Sequence, residues 1–224
     1  MSRARFADIM GTAAADVPLD EASLLISGAI QPGLQPAVWL SMLDGFAAGC
    51  PTPTPDAVAD HLFVTEHFVG NRSAYYDWRN SCLDRVIERR AGIPISLSVL
   101  MIEVGRRVGV PLVGVGMPAH FLVRPADDDT TFYDPFHGGV RLDRAGARTL
   151  FEAVTNGQVP WNERFLEPTP NRDIVIRVLN NLKSVFAGRG DAVRHGMVMD
   201  LRSAVPELAE LEAVEIVASG AVFN

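Results

Sequence analysis

The stretch "GMPAHFLVRPADDDTTFYDPFHGG", residues 116–139, sets a histidine and an aspartate on either side of an acidic loop. His120 has the chemistry of a general base and Asp134 that of the carboxylate that orients it, which together make two-thirds of a nucleophilic triad. The segments "HFLVR" and "TFYDP" are apolar, aromatic and β-branched, and they read as short strands. An antiparallel hairpin centred near Asp127 pairs residues whose numbers sum to about 254, which sets His120 across from Asp134 with side chains about 5 Å apart. Two readings stay open for this pair. It is either a dyad in a cleft or a satisfied hydrogen-bonded pair that ties the hairpin together.

A nucleophile for such a dyad needs a rigid element ahead of the hairpin, and the stretch 94–108 is the obvious one. It starts with Pro94, which suits the first turn of a helix because its missing N–H is unneeded there. Ile95, Leu97, Val99, Leu100, Met101, Ile102, Val104 and Val108 make it apolar nearly all round, the pattern of a buried central helix. Gly109 and Pro111 end it, and "PLVGVGM" begins the strands. Ahead of it, Asn80 or Ser81 could cap a helix through "CLDRVIERR", with Gly92 as its left-handed terminator.

Further out the pattern is helical. "LDEASLLISGAI" (19–30), "PAVWLSMLDGFAAG" (36–49) and a third helix opening at Pro55–Asp56 precede the core. From Phe165 onward three more helices are expected, broken at "GRGD" and near Pro206. The order helices, central helix, antiparallel strands, helices is an α+β arrangement. We divide it into an N-terminal helical segment (1–60), a core (61–164) and C-terminal helices (165–224).

Composition narrows the function classes. The 224 residues carry a net charge of −7, which argues against nucleic-acid or anionic-membrane binding. No apolar run is long enough to span a membrane. Asp8 interrupts the apolar stretch after Arg3 and Arg5, so no signal peptide is expected, and the cytoplasm is the default setting. The two cysteines, Cys50 and Cys82, make neither a disulfide framework nor a metal site. No cofactor is called for.

The strings "GNRSAYYDWRNSCLDRVIERRAGIPISLSVLMIEVGRRVGVPLVGVGMPAHFLVRP" and "YDPFHGG" resemble the SirB-type transglutaminase-like family. The resemblance covers most of residues 60–142, and "LNNLKSVFAGRGD" more loosely. It implies a papain/transglutaminase-like core, with a central buried helix packed on an antiparallel sheet and helical segments on both sides. In that layout a cysteine begins the central helix, whose partial positive charge lowers the thiol pKa. Here "RRAGIP" and "RRVGVP" match the ends of the pattern, but Pro94 stands where the cysteine would be. Proline supplies neither nucleophile nor acid. Many relatives continue into tetratricopeptide-type repeats, and the last helices resemble a truncated segment of that kind. Cys82 and His137 depart from the family, which would place an aromatic residue and an asparagine there.

Other candidates are weaker. Ser96 is the obvious substitute nucleophile, one turn into the central helix, but a serine needs a base within hydrogen-bond reach. It reads equally as a packing residue bonded back to the chain, as does Ser98. Cys82, in a first helical turn, is either a relocated nucleophile or a buried small hydrophobe. His61, Glu66 and His67 in "HLFVTEH" lack metal-site spacing and read as surface residues. Pro94, Arg89, Arg124, Asn80 and Tyr76 are assigned to the pocket. Arg89 sits beside the vacant cysteine position, Arg124 two strand steps from His120, and Asn80, Tyr76 and Asp77 in "YYDWRNS" as buttresses.

These observations lead to the expectation of a binding, scaffold or regulatory module with a degenerate site and a protein or peptide partner. The alternative is a peptidase- or amidase-like hydrolase using His120 and Asp134 with Ser96 or an activated water. The oligomeric state is left open.

Overall fold

The computed structural model describes residues 3–210. Helix α1 (Arg3–Met10) is followed by α2 (Leu19–Ile30) and α3 (Pro36–Gly49), the last two with the bounds that hydrophobic spacing predicts. Helix α4 (Pro55–Asp60) starts where Thr54 caps it, its hydroxyl accepting from the Ala57 N–H at 3.2 Å. The helix does not run on through "HLFVTEHF" as the pattern implied. It loosens into one π turn, His61–Thr65, and ends at His67 in the left-handed region with φ 58°. That turn carries His61 into the interior, so the expected surface histidine is buried.

Asn80 and Ser81 lie in a short 3₁₀ turn, Trp78–Ser81, ahead of α5 (Leu83–Arg89). The left-handed residue after α5 is Arg90 (φ 53°, ψ 30°) rather than Gly92. Packing and pairing of the half-buried Arg90 guanidinium offset that strain. It lies 4.5 Å from the Phe46 ring and 4.6 Å from the Phe68 ring, and pairs with Glu66 at 2.8 Å. Gly92 is needed for a different reason, since a Cβ there would meet the Ser96 hydroxyl at 2.7 Å. It lies in β2 (Ala91–Gly92), which pairs in parallel with β1 (Val69–Gly70).

Helix α6 (Pro94–Arg107) is buried at every residue from Pro94 to Gly105, as its apolar circumference predicts. It packs on a four-stranded antiparallel meander of β3 (Leu112–Val115), β4 (Leu122–Pro125), β5 (Phe132–Asp134) and β6 (Val140–Leu142). Leu112, Val123 and Tyr133 join the main core on the α6 side. Val115, Leu122 and Phe132 join a second cluster with Ala147 and Phe151 of α7 (Arg144–Val154). Both sheet faces are thus covered, which accounts for the unbroken burial of β4.

The hairpin register differs from the expected one by two residues. Val123 lies opposite Tyr133, where the predicted pairing would have put Thr131. His120 therefore stands ahead of β4 in a turn, not in the strand facing Asp134.

At the C-terminal side, α8 (Asn171–Arg189) ends at Gly190 in the left-handed region and α9 (Ala192–Arg202) packs against it. The expected break at "GRGD" falls between them. Of the third C-terminal helix, residues 206–210 are helical and the rest lies outside the described residues. Among the described residues no helix is long and apolar enough to cross a membrane.

Candidate functional site

Pro94 and His120 meet in one cleft of about 230 Å³, between the N-terminal end of α6, the 117–120 turn and one face of α8. The turn is tight: the His120 N–H donates to the Met117 carbonyl at 3.3 Å, and Ala119 holds a left-handed φ of 63°. Arg177 on α8 clamps it, its Nη2 donating to the Met117 carbonyl at 2.9 Å and the His120 carbonyl at 3.4 Å. The same guanidinium lies over the Phe121 ring, 5.1 Å from its centre.

Behind the cleft, Asp134 is shared by two histidines. Its Oδ1 lies 3.0 Å from His120 Nε2, and its Oδ2 lies 2.6 Å from His137 Nδ1. Oδ1 also accepts the backbone N–H groups of Phe136 (3.1 Å) and His137 (3.2 Å). The two imidazoles stack, with ring centres 5.6 Å apart. Burial alone would raise the Asp134 carboxyl, but the hydrogen bonds and charge of His120 and His137 outweigh it and hold the group below the ordinary carboxylate range. An ionised carboxylate only accepts, so His120 Nε2 carries a hydrogen toward Asp134 Oδ1. Among the described residues Nδ1 has no hydrogen-bond partner, and it is not sealed from solvent. The result is a buried histidine held in orientation by Asp134, at the wall of the cleft that Pro94 shares. The ligand atoms of His120, Asp134 and His137 lie within 4.8 Å of one another, a spacing that could hold a metal ion. Each is engaged in the His–Asp–His hydrogen bonds, which makes the cluster as it stands a proton network.

The sequence profile of the transglutaminase-like superfamily matches residues 46–180. The chain belongs to that superfamily. A UPF0162 protein of Xylella fastidiosa is 48% identical over 135 residues, covering 58% of this chain and 48% of that protein. A UPF0162 protein of Vibrio cholerae is 39% identical over 131 residues, covering 56% and 47%. F-box only protein 21 of Mus musculus is 46% identical over 69 residues, 31% of this chain but 11% of that protein. The chain spans about half the length of the UPF0162 relatives it matches. No solved structure matches it significantly.

Within this transglutaminase-like domain, the residues singled out from sequence separate into two groups. Pro94 and His120 share the cleft and Asp134 lies behind His120, though not across the strand pair from it. Ser96 does not join them: its buried hydroxyl donates to the Asn80 carbonyl at 2.6 Å and accepts from the Ile93 N–H at 3.1 Å. It closes the helix start. Ser98 bonds back to the Pro94 carbonyl at 2.8 Å.

Asn80 is a buttress. Its amide donates to the Ala74 carbonyl at 2.7 Å and the Tyr75 carbonyl at 3.1 Å, while Arg89 donates to its oxygen at 3.3 Å. That brace presents Tyr75, not Tyr76, to the cleft; Tyr76 is 75% exposed and lies outside it. Arg89 also lies 3.6 Å from Asp77 and does not line the cleft. Arg124 faces elsewhere, donating to the carbonyls of Pro125 (2.9 Å) and Asp128 (3.0 Å) to close the hairpin loop. Its even spacing from His120 carries no meaning, because His120 is not in the strand. Cys82 is fully buried, and burial pushes its thiol far above the range in which a thiolate forms.

Three polar cleft residues were not anticipated: Tyr75, Arg177 and Asn181. The last two stand four apart in "NRDIVIRVLNNLK", a polar pair on a helix that buries Ile174, Val178, Leu179 and Leu182. A polar i, i+4 pair in such a helix was the available signal.

Proposed function

We propose that this is a SirB-type transglutaminase-like module that has lost cysteine-dependent acyl transfer and uses its cleft for binding. One observation carries the reading. Pro94, with no thiol, no hydroxyl and no backbone N–H, opens α6 in the same cleft as His120. The frame for activating a nucleophile is retained, and the position a nucleophile would occupy is inert. The segments 1–60 and 165–224 flank the 61–164 core, and α8 supplies one wall of the cleft. A protein or peptide partner in the cytoplasm is the setting this implies.

A second reading, hydrolysis, has one point in its favour: the free Nδ1 of His120 could activate a water. Ser96 does not serve it, since its hydroxyl is spent on Asn80. Assays with ester, peptide and amine-transfer substrates decide between the two. Binding predicts no turnover that differs between the wild type and His120→Ala. Turnover abolished in His120→Ala would establish the hydrolase instead.

A further inference from the structure

The cleft collects polar groups that have nothing to bond. Among the described residues, Tyr75 Oη, His120 Nδ1, Arg177 Nε and Asn181 Nδ2 have no hydrogen-bond partner, while Arg177 Nη1 packs against Gly116. A few polar side chains converging on one concavity, with a cation among them that no protein carboxylate pairs, are the usual makings of a small-ligand site. Their signs agree. Arg177 is a permanent cation, and among the described residues no carboxylate pairs with it. Tyr75, whose phenol burial raises above its ordinary value, remains a donor at neutral pH. Among the described residues no acidic side chain lines the cleft, although the chain as a whole carries a net −7. Asp134 is buried behind His120 with both oxygens in use.

We propose that the cleft binds a carboxylate, with Arg177 as the charge anchor and Asn181 and Tyr75 as donors. This rests on the binding reading above and names its ligand class. Arg177 is preorganised for the task, because the Met117 carbonyl and the Phe121 face fix the guanidinium before any ligand arrives. One fixed cation matches a single negative charge, where a phosphate dianion would call for more. The space is about 230 Å³, below the roughly 300–1,000 Å³ usual for drug-sized ligands. It suits an amino-acid-sized acid or the last residue of a peptide.

Titration of the full chain with N-acetylalanine, N-acetylalaninamide, acetate and inorganic phosphate, followed by amide chemical shifts, tests this. N-acetylalanine is expected to shift the amides of Ala119, His120 and Arg177, and its amide analogue to bind about tenfold more weakly or worse. Arg177→Gln should lose binding by a similar factor, and Arg177→Lys should retain part of it. Because Arg177 also clamps the turn, Asn181→Ala is the companion variant, expected to weaken binding without changing the melting temperature. N-acetylalanine binding more tightly than acetate identifies a peptide terminus as the source; equal affinity identifies a small free acid. Equal binding of acid and amide, tighter binding of phosphate, or no cleft shift with any acid overturns the proposal. The binding reading fails by a different sign, turnover that depends on His120.

Discussion

The strings "RRAGIP" (89–94) and "RRVGVP" (106–111) bracket α6 and look interchangeable, yet the fold uses them in opposite ways. At the second, every charge is answered. Arg106 and Arg107 reach Glu103 at 2.8 and 2.7 Å and Asp20 at 3.0 and 2.6 Å, and Arg107 also holds Asp44 at 2.8 Å. Burial and the Asp20 charge push the Glu103 carboxyl up. Asp20 itself is drawn down, because the two arginines outweigh its own burial. Gly109 then turns the chain at φ 77° and Pro111 leads into β3. At the first string, Arg89 and Arg90 turn away into a brace and an aromatic slot, and Pro94 faces a cleft whose donors are open. Charged residues at a saturated helix end are structure. Open polar groups at the other end are the mark of a site.

Three changes would break or sharpen that contrast. Glu103→Ala should be the most damaging, costing about 3 kcal/mol in urea unfolding, because its buried carboxylate accepts charged hydrogen bonds from both Arg106 and Arg107, which otherwise keep only Asp20 and Asp44. The cleft should be unaffected. Asp134→Asn should cost less, about 1.5–3 kcal/mol, the worth of charged hydrogen bonds. Its pH signature has a definite sign. The Asp134 pKa is lower in the folded state than in the unfolded chain, so its contribution is complete above the unfolded value and fades as pH falls through the folded one. The wild type should therefore lose stability more steeply than Asp134→Asn on acidification below about pH 4. Ser96→Ala should cost about 1–2 kcal/mol by orphaning the Ile93 N–H and the Asn80 carbonyl. A Ser96→Ala variant that loses a hydrolytic activity would instead merge the helix start with the site.

What the sequence disclosed was what local chemistry controls. Helices α2, α3 and α6 follow from apolar spacing with acidic or proline starts. His120, Asp134 and the inert Pro94 are legible from residue type, chain order and family resemblance. The remainder depends on contacts between distant segments. The hairpin register was missed by two residues because a shift of two leaves every side chain on its own face, so the apolar alternation cannot tell the two registers apart. Arg90, not glycine, takes the left-handed position because Phe46 and Phe68, far away in sequence, hold its side chain. Tyr75 rather than Tyr76 enters the cleft because Asn80 fixes the loop between them and α5. Arg177 and Asn181 reach it because α8 returns across the end of α6, which no local pattern announces.

The central claim, a triad frame missing only its nucleophile, is most directly tested by Pro94→Cys. The rate of iodoacetamide alkylation against pH gives the thiol pKa. Cysteine at the first turn of α6, beside His120, should titrate well below the ordinary value of about 8.5, and the double variant with His120→Ala should return it upward. A Pro94→Cys thiol that titrates near or above that ordinary value, with or without His120, would contradict the account.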